Sequence, residues 1–414
     1  MKRKQFTIFL IILFVMIFIS CSAVAKRGEK PSERAVMHNN KGVTALYQDG
    51  DIDRAIFEFK IAAELNPKYV EAWSNLGLAY KHKGRLNDAV SVLKDAIKLD
   101  RKFASPYNTL GTIYLLQKNY KDAIRNFKLA IRYNKKFSDA YYNSGLTYME
   151  MFGSYHDQKH LHSAVAALRN ATSINSDHPY AHYQLARVYQ QLGKYEDAIL
   201  RYKLALEIDP KLTNAWNSLA NLYTKTGQTL KAQQALNNAL ETNPGSTASH
   251  LNMGLNYLKD DNIKMAVREF NESIKADPTN ELAYFNVGYA YYKLAANLQS
   301  QGKGSQANKF LKESNNAYMS AYKLKPNYPE ATYNIGYNFQ MLKDYNSAAN
   351  WYAKTIKLHS SFHQAYFSLG MVYQILGQNK KAAKAFCSFV KLKPQGMDTD
   401  VNTAKGLISS LGGC

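Results

Sequence analysis

The sequence predicts an all-α fold: a right-handed superhelical solenoid of about ten helix hairpins, closed by a C-terminal capping helix. A small residue recurs at Ala55, Ala89, Ala123, Ala164, Ala198, Ala232, Ala266, Ala348 and Ala382, 34 positions apart wherever no insertion intervenes. Nine residues ahead of it stands an aromatic, at Tyr80, Tyr114, Tyr189, Tyr223, Tyr257, Phe339 and Tyr373. Around these markers, apolar residues fall at helical spacing in two segments separated by a short turn. A period of this kind marks stacked supersecondary units and takes precedence over counting domains from chain length.

The composition allows this architecture. Of 414 residues, 46% are hydrophobic and 21% charged, which is ordinary for a folded chain and excludes extensive disorder. The formal charge of +21 steers toward acidic proteins, anionic lipid or nucleic acid. Lys and Arg are spread along helix surfaces without a nucleic-acid-binding signature, which argues against nucleic acid. Cys21, Cys387 and Cys414 form neither a disulfide framework nor a paired CxxC metal site.

The first element is an export segment. Lys2, Arg3 and Lys4 precede an apolar run, Phe6 to Ile19, broken only by Thr7, the pattern of a secretory signal peptide over residues 1–20. Residues 21–35, polar and interrupted by Pro31, read as a tether. Phe18-Ile19-Ser20-Cys21 resembles the bacterial lipobox, although Phe18 stands where Leu is usual. That resemblance implies cleavage before Cys21, lipidation of Cys21, and a membrane-tethered protein on the periplasmic side of a bacterial envelope. Two alternatives stay open. Cleavage after Ala25 would free a soluble protein, and retention of residues 6–25 would leave an anchor, since a bilayer needs about 20 apolar residues. All three put the remainder outside the cytoplasm, because the positive charges precede the apolar run.

The hairpins then follow at approximately 36–69, 70–103, 104–137, 138–178, 179–212, 213–246, 247–280, 281–328, 329–362 and 363–396. Gly77, Gly111, Gly145, Gly254, Gly288, Gly336 and Gly370, with Ala186 and Ala220 substituting, let the two helices of a hairpin approach closely. Pro67, Pro210, Pro244, Pro278, Pro326 and Pro394 lie where the second helix stops. Two insertions fall within 149–163 and 293–313. The second reads as both helices of the eighth hairpin, which carries Ser314 at the alanine position, lengthened by about two turns and joined at Gly302-Lys303-Gly304. In the final segment, 397–414, Asp398 is the expected N-cap, and Val401, Ala404, Ile408 and Leu411 form one apolar stripe.

Stretches such as WSNLGLAYKHKGRLNDAVSVLKDAIKLD and WNSLANLYTKTGQTLKAQQALNNALETNP resemble the tetratricopeptide repeat, and the resemblance covers residues 36–396. It implies a protein-binding function without catalysis or cofactor, exercised in a groove lined by the first helices. In the family, the position two residues ahead of the glycine faces that groove, and here it holds Asn75, Asn143, Asn252, Asn286 and Asn334. A neighbouring inward position carries Tyr142, Tyr183, Phe285, Tyr333 and Phe367. This row is similar to the asparagine ladder in the repeat domain of O-linked N-acetylglucosamine transferases, which implies an extended peptide or tail as ligand. The chemistry suits it, because an amide donates to a carbonyl and accepts from an N–H, and aromatics are favoured at interfaces. The alternative, that Asn near this glycine is simply common in the repeat, stays open.

No nucleophile-and-base set, zinc-protease motif or phosphate loop is present, so neither enzyme nor cofactor is expected. His156 and His160 would share a face if the first insertion were helical, but with no Cys or acidic partner beyond Asp157 a polar loop is expected, not a metal site. Cys387 is expected to pack in the tenth hairpin and Cys414 to be a free thiol, with a disulfide between them the disfavoured alternative. The functional expectation is an envelope scaffold serving a pilus, secretion or outer-membrane machine, similar to bacterial repeat lipoproteins. The alternatives are a soluble periplasmic or secreted adaptor, and a binder of anionic polymer through the basic surface.

Overall fold

A computed structural model describes residues 30–392 and 395–414. The expected signal peptide, the lipidation site Cys21 and Pro394 lie outside the described residues. The described residues form twenty-one α-helices and no strand, in the hairpin solenoid expected from the sequence. Contacts divide the chain into two units, one ending at Gly193 and one beginning at Lys194.

The first unit runs α1 (Glu33–Thr44), α2 (Ile52–Leu65), α3 (Val70–His82), α4 (Leu86–Leu99), α5 (Ala104–Leu116), α6 (Tyr120–Tyr133), α7 (Ser138–Tyr155), α8 (Gln158–Ile174) and α9 (Pro179–Gln191). The second runs α10 (Tyr195–Ile208), α11 (Thr213–Lys225), α12 (Thr229–Thr242), α13 (Thr247–Lys259), α14 (Ile263–Ala276), α15 (Glu281–Ser300), α16 (Gly304–Leu324), α17 (Pro329–Met341), α18 (Tyr345–Leu358), α19 (His363–Ile375), α20 (Asn379–Lys391) and α21 (Asp398–Ser410). Within each unit a second helix packs on its own first helix and on the first helix of the next hairpin. Successive first helices also touch, as α3 does α5 and α11 does α13. The alanines that mark the period are fully buried at these crossings, where only a methyl group fits.

Proline is not what stops the second helices. After α2, α4, α6, α8, α10, α12 and α14 the chain turns extended at Asn66, Asp100, Asn134, Asn175, Asp209, Asn243 and Asp277. Each side chain accepts a hydrogen bond from the backbone N–H two residues on, at 2.7–3.2 Å. This Asx turn offers the backbone an alternative to the helix ladder. It works without proline after α4, α6 and α8. A second recurring bond fixes the same turns from the following helix: Trp73 Nε1 donates to Pro67 O (3.0 Å), Tyr107 Oη to Arg101 O (3.0 Å) and Trp216 Nε1 to Pro210 O (2.9 Å). His250 Nε2 lies 3.0 Å from Pro244 O in the equivalent place.

The insertions lengthen helices. Ordinary first and second helices have 13 and 14 residues, whereas α15 and α16 have 20 and 21, about two extra turns each. The first insertion is not the polar loop expected: α7 reaches 18 residues and α8 17, with only His156 and Asp157 between them. His156 caps α7 with φ 55° while His160 lies on α8, so the two are not one helical face. The first hairpin carries a single extra residue, since Gly42 precedes Ala55 by 13 positions where Gly77 precedes Ala89 by 12. A π-helical turn over Ala45–Asp49 absorbs it, as such turns do for one-residue insertions.

Three expectations at the ends are corrected. Ser32 caps α1 through the Ala35 N–H, so residues 33–35 are helical and not tether. At α21 the N-cap is Met397, without a side-chain bond; Asp398 lies inside the first turn with Asp400, where both carboxylates complement the helix dipole. Cys387 and Cys414 are joined as a disulfide. Gly412 and Gly413, both at positive φ, turn the tail back toward α20 and make that pairing geometrically accessible. The expected apolar stripe of α21 does cap the last hairpin, with buried Ala404 packed among Phe386, Phe389, Val401, Ile408 and Leu411.

Candidate interaction surface

The residues expected to line a groove all lie on first helices and are half-buried. Asn75, Asn143, Asn252, Asn286 and Asn334 occupy α3, α7, α13, α15 and α17. Tyr142, Tyr183, Phe285, Tyr333 and Phe367 occupy α7, α9, α15, α17 and α19. The structure shows a bond pattern that sequence reasoning did not anticipate. An amide of one repeat reaches back to the residue three ahead of the glycine in the preceding repeat. Asn75 Nδ2 donates to Asn39 Oδ1 (2.9 Å), Asn143 Nδ2 to Asn108 Oδ1 (3.1 Å) and Asn252 Nδ2 to Asn217 Oδ1 (3.1 Å).

The same register joins Tyr333 Oη to Ser368 Oγ at 3.3 Å, and Gln184 hydrogen-bonds Tyr142. Where the acceptor position turns apolar the ladder breaks. The residues placed opposite Asn286 and Asn334 are Leu251 and Phe285. Asn286 Nδ2 therefore folds onto its own helix at Leu282 O (2.8 Å), and Asn334 bonds the buried Tyr318 hydroxyl. An amide has two N–H donors and one carbonyl acceptor. Asn75, Asn143 and Asn252 thus keep a carbonyl oxygen while one N–H joins neighbouring repeats.

The aromatics are shared in a similar way. Phe285 lies 5.2 Å from Tyr318 and 5.1 Å from Tyr328, centroid to centroid. Tyr333 packs on Tyr352 (5.4 Å) and Phe362 (5.3 Å), Phe367 on Phe389 (5.1 Å), and Tyr142 on His178 (4.8 Å). One edge of each ring is therefore core and the other surface. Burial pushes the phenols of Tyr142 and Tyr333 above their ordinary range, so both stand as neutral hydrogen-bonding groups.

Two family profiles match this chain. One, described as "TPR repeat", matches residues 44–84 and 186–227; the other, "Tetratricopeptide repeat", matches 70–103, 104–137, 213–246 and 363–395. The chain carries tetratricopeptide repeats. Such repeats are a scaffold for protein–protein interaction. The tetratricopeptide repeat domain-containing protein PYG7, chloroplastic, of Arabidopsis thaliana is 38% identical over 64 residues, 16% of this chain and 21% of that protein. The match therefore spans about a fifth of that relative's length. Among solved structures, pilF of Pseudomonas aeruginosa is 19% identical with a TM-score of 0.46, over 52% of this chain and 95% of that one. The thermophilic TPR protein TTC0263 of Thermus thermophilus is 23% identical with a TM-score of 0.39, over 46% of this chain and 99% of that one.

Proposed function

We propose that this tetratricopeptide repeat protein is an exported, membrane-tethered scaffold that holds an extended segment of a partner along its first helices. The observation that carries the reading is the row of half-buried amides at a fixed register, three of which donate through Nδ2 and keep a carbonyl oxygen that accepts from no donor among the described residues. An extended backbone presents N–H groups at regular intervals that such a row can receive. The flanking aromatics add apolar area at low conformational cost. The Cys387–Cys414 disulfide supports an oxidising compartment, because such bonds persist outside the reducing cytosol. Tethering through Cys21 rests on its lipobox-like context, and service to an envelope assembly is an extension of that placement.

Two experiments test this reading. Peptides selected from a random display library against the full chain should lose binding by about tenfold or more when Asn252, Asn286 and Asn334 become Ala, the loss of one to two hydrogen bonds. Selected peptides that bind the triple variant unchanged would remove the groove from the mechanism. For the tether, intact mass and fractionation of the native protein and Cys21→Ala should show acylation at Cys21 and release of the variant from membranes. A mature chain beginning at Lys26, or one retaining Met1 without acylation, overturns the lipoprotein reading.

A further inference from the structure

We infer a second docking site, outside the amide row, for an acidic amphipathic helix of a partner protein. Lys121, Arg125, Lys128 and Arg132 stand at i, i+4, i+7 and i+11 on α6, which places all four on one face. With Lys118 they form one wall of a cleft of about 780 Å³. The opposite wall comes from α7, through Tyr148, Met151 and Tyr155, and Ile124 and Leu129 supply apolar floor between the charges. Met151 and Tyr155 belong to the segment by which α7 exceeds an ordinary first helix, so the insertion builds this wall. Tyr120 steadies it, its hydroxyl 3.1 Å from Ser154 Oγ and its ring edge-on to Tyr155.

Three features point to an occupant. All five cations are exposed, and none has a carboxylate within ion-pair distance among the described residues, whereas Lys83, Arg85 and Lys98 of the preceding hairpin are paired with Asp53, Asp88 and Asp95. No carboxylate lines the cleft. Tyr155, at its mouth, is 61% exposed, an unusual position for a large aromatic beside unpaired charge. Five like charges on so short a surface repel one another and are relieved by a polyanion of matching length. The stripe extends about 17 Å, or three helical turns. A concave, half-apolar trough fits a helix carrying acids on one side and Leu, Met or Phe on the other. It does not fit the broad surface of a bilayer.

The test uses the full chain and a fluorescein-labelled helical peptide of about 16 residues with Glu at i, i+4, i+7 and i+11 and Leu on the adjoining face. Binding by anisotropy is expected, weakened about tenfold or more by Arg125→Glu with Lys128→Glu, and weakened by raising salt from about 50 to 200 mM. Tyr155→Ala should weaken it too, while Ala at Asn252, Asn286 and Asn334 should leave it unchanged. Arg125, Lys128 and Tyr155 are exposed on intact helices, and superimposable circular dichroism verifies the fold of every variant. The inference is overturned if the charge-reversed variant binds as the wild type does, or if polyglutamate or a peptide with its acids scattered around the helix binds equally. It is also overturned if phosphatidylserine vesicles or duplex DNA displace the peptide at equal charge concentration.

Discussion

Gly111 on α5 lies flat against the ring of Phe127 on α6: a β-carbon at Gly111 would stand 2.4 Å from Phe127 Cε1. The relationship recurs at Gly254 and Phe270 (2.4 Å), Gly370 and Phe386 (2.6 Å), and Gly288 and Tyr318 (2.7 Å). Phe127 is fully buried and has nowhere to retreat. In the sixth hairpin the small position is Ala220, and the residue in the place of Phe127 is Leu236, in the same core cluster. Ala220 with Leu236 is thus one combination the hairpin accommodates, while Gly77 and Gly145 face the leucines Leu93 and Leu168 as closely as 2.5 and 2.6 Å.

Gly111→Ala should accordingly destabilise the third hairpin by about 1–3 kcal/mol, the usual cost of overpacking. Adding Phe127→Leu should recover part of that loss by recreating the Ala220–Leu236 pairing, a coupling that a double-mutant cycle reads directly. Hydrogen exchange on α5 and α6 is the appropriate probe, because a repeat array does not unfold as one two-state unit. Unchanged protection in Gly111→Ala would show that the close approach is not limiting.

Asn256 is 1% exposed on α13, and neither its amide nitrogen nor its oxygen has a protein partner. Asn338 holds the same register on α17 and donates to Ser314 Oγ (2.8 Å) and Asn315 Oδ1 (3.0 Å). The residue of α12 that corresponds to Ser314 is Ala232, which offers nothing. A buried amide without partners costs about 1–3 kcal/mol. Asn256→Val, copying Val188 and Val372 at this register, should raise protection of α12 and α13 by an amount in that range. A decrease would mean that the amide is satisfied in solution.

The hairpin architecture was legible because its signal is repeated: buried alanines, their aromatics and the paired helices all follow from one 34-residue period. The doubled length of the second insertion was legible for the same reason, as helical spacing continues through it. What the period could not show was where polar atoms bond across repeats. Asn75 reaches Asn39 only because hairpins stack with a particular offset, so the amide row looked like pure ligand surface. The basic stripe of α6 was hidden by counting Lys and Arg along the chain instead of around the helix. The sequence disfavours the disulfide because 27 positions separate the cysteines, and only the return of the glycine tail brings them together. The π-helical turn could have been found from the one-residue surplus between Gly42 and Ala55.

Lys343 sits between α17 and α18 at φ 63°, in the left-handed region that Gly84, Gly227 and Gly377 fill elsewhere. A β-carbon there costs about 1–2 kcal/mol, against about 0.4–1 kcal/mol of added freedom that glycine gives the unfolded chain. Lys343 is exposed, so its side chain contributes little packing. Lys343→Gly should therefore stabilise the ninth hairpin by about 0.5–1 kcal/mol, seen as slower exchange of the amides of α18. Faster exchange would imply that the lysine makes a contact in solution worth more than its strain.

The disulfide closes the chain end over the last hairpin, and its effect should be confined there. Closing a loop of 27 positions removes unfolded-chain entropy worth about 3–4 kcal/mol in the loop-closure account. In a repeat array, stability is carried by nearest neighbours. Cys414→Ser should thus lower protection of α21 and α20 by up to that amount, while exchange in α3 to α8 stays as in the wild type. The apolar contacts of Ala404 with Phe386 and Phe389 remain, so α21 should loosen without being lost. Alkylation of the denatured, unreduced native protein should leave Cys387 and Cys414 unmodified. Modification of both would show that the bond does not form in the cell, and with it would go the support it gives to an oxidising compartment.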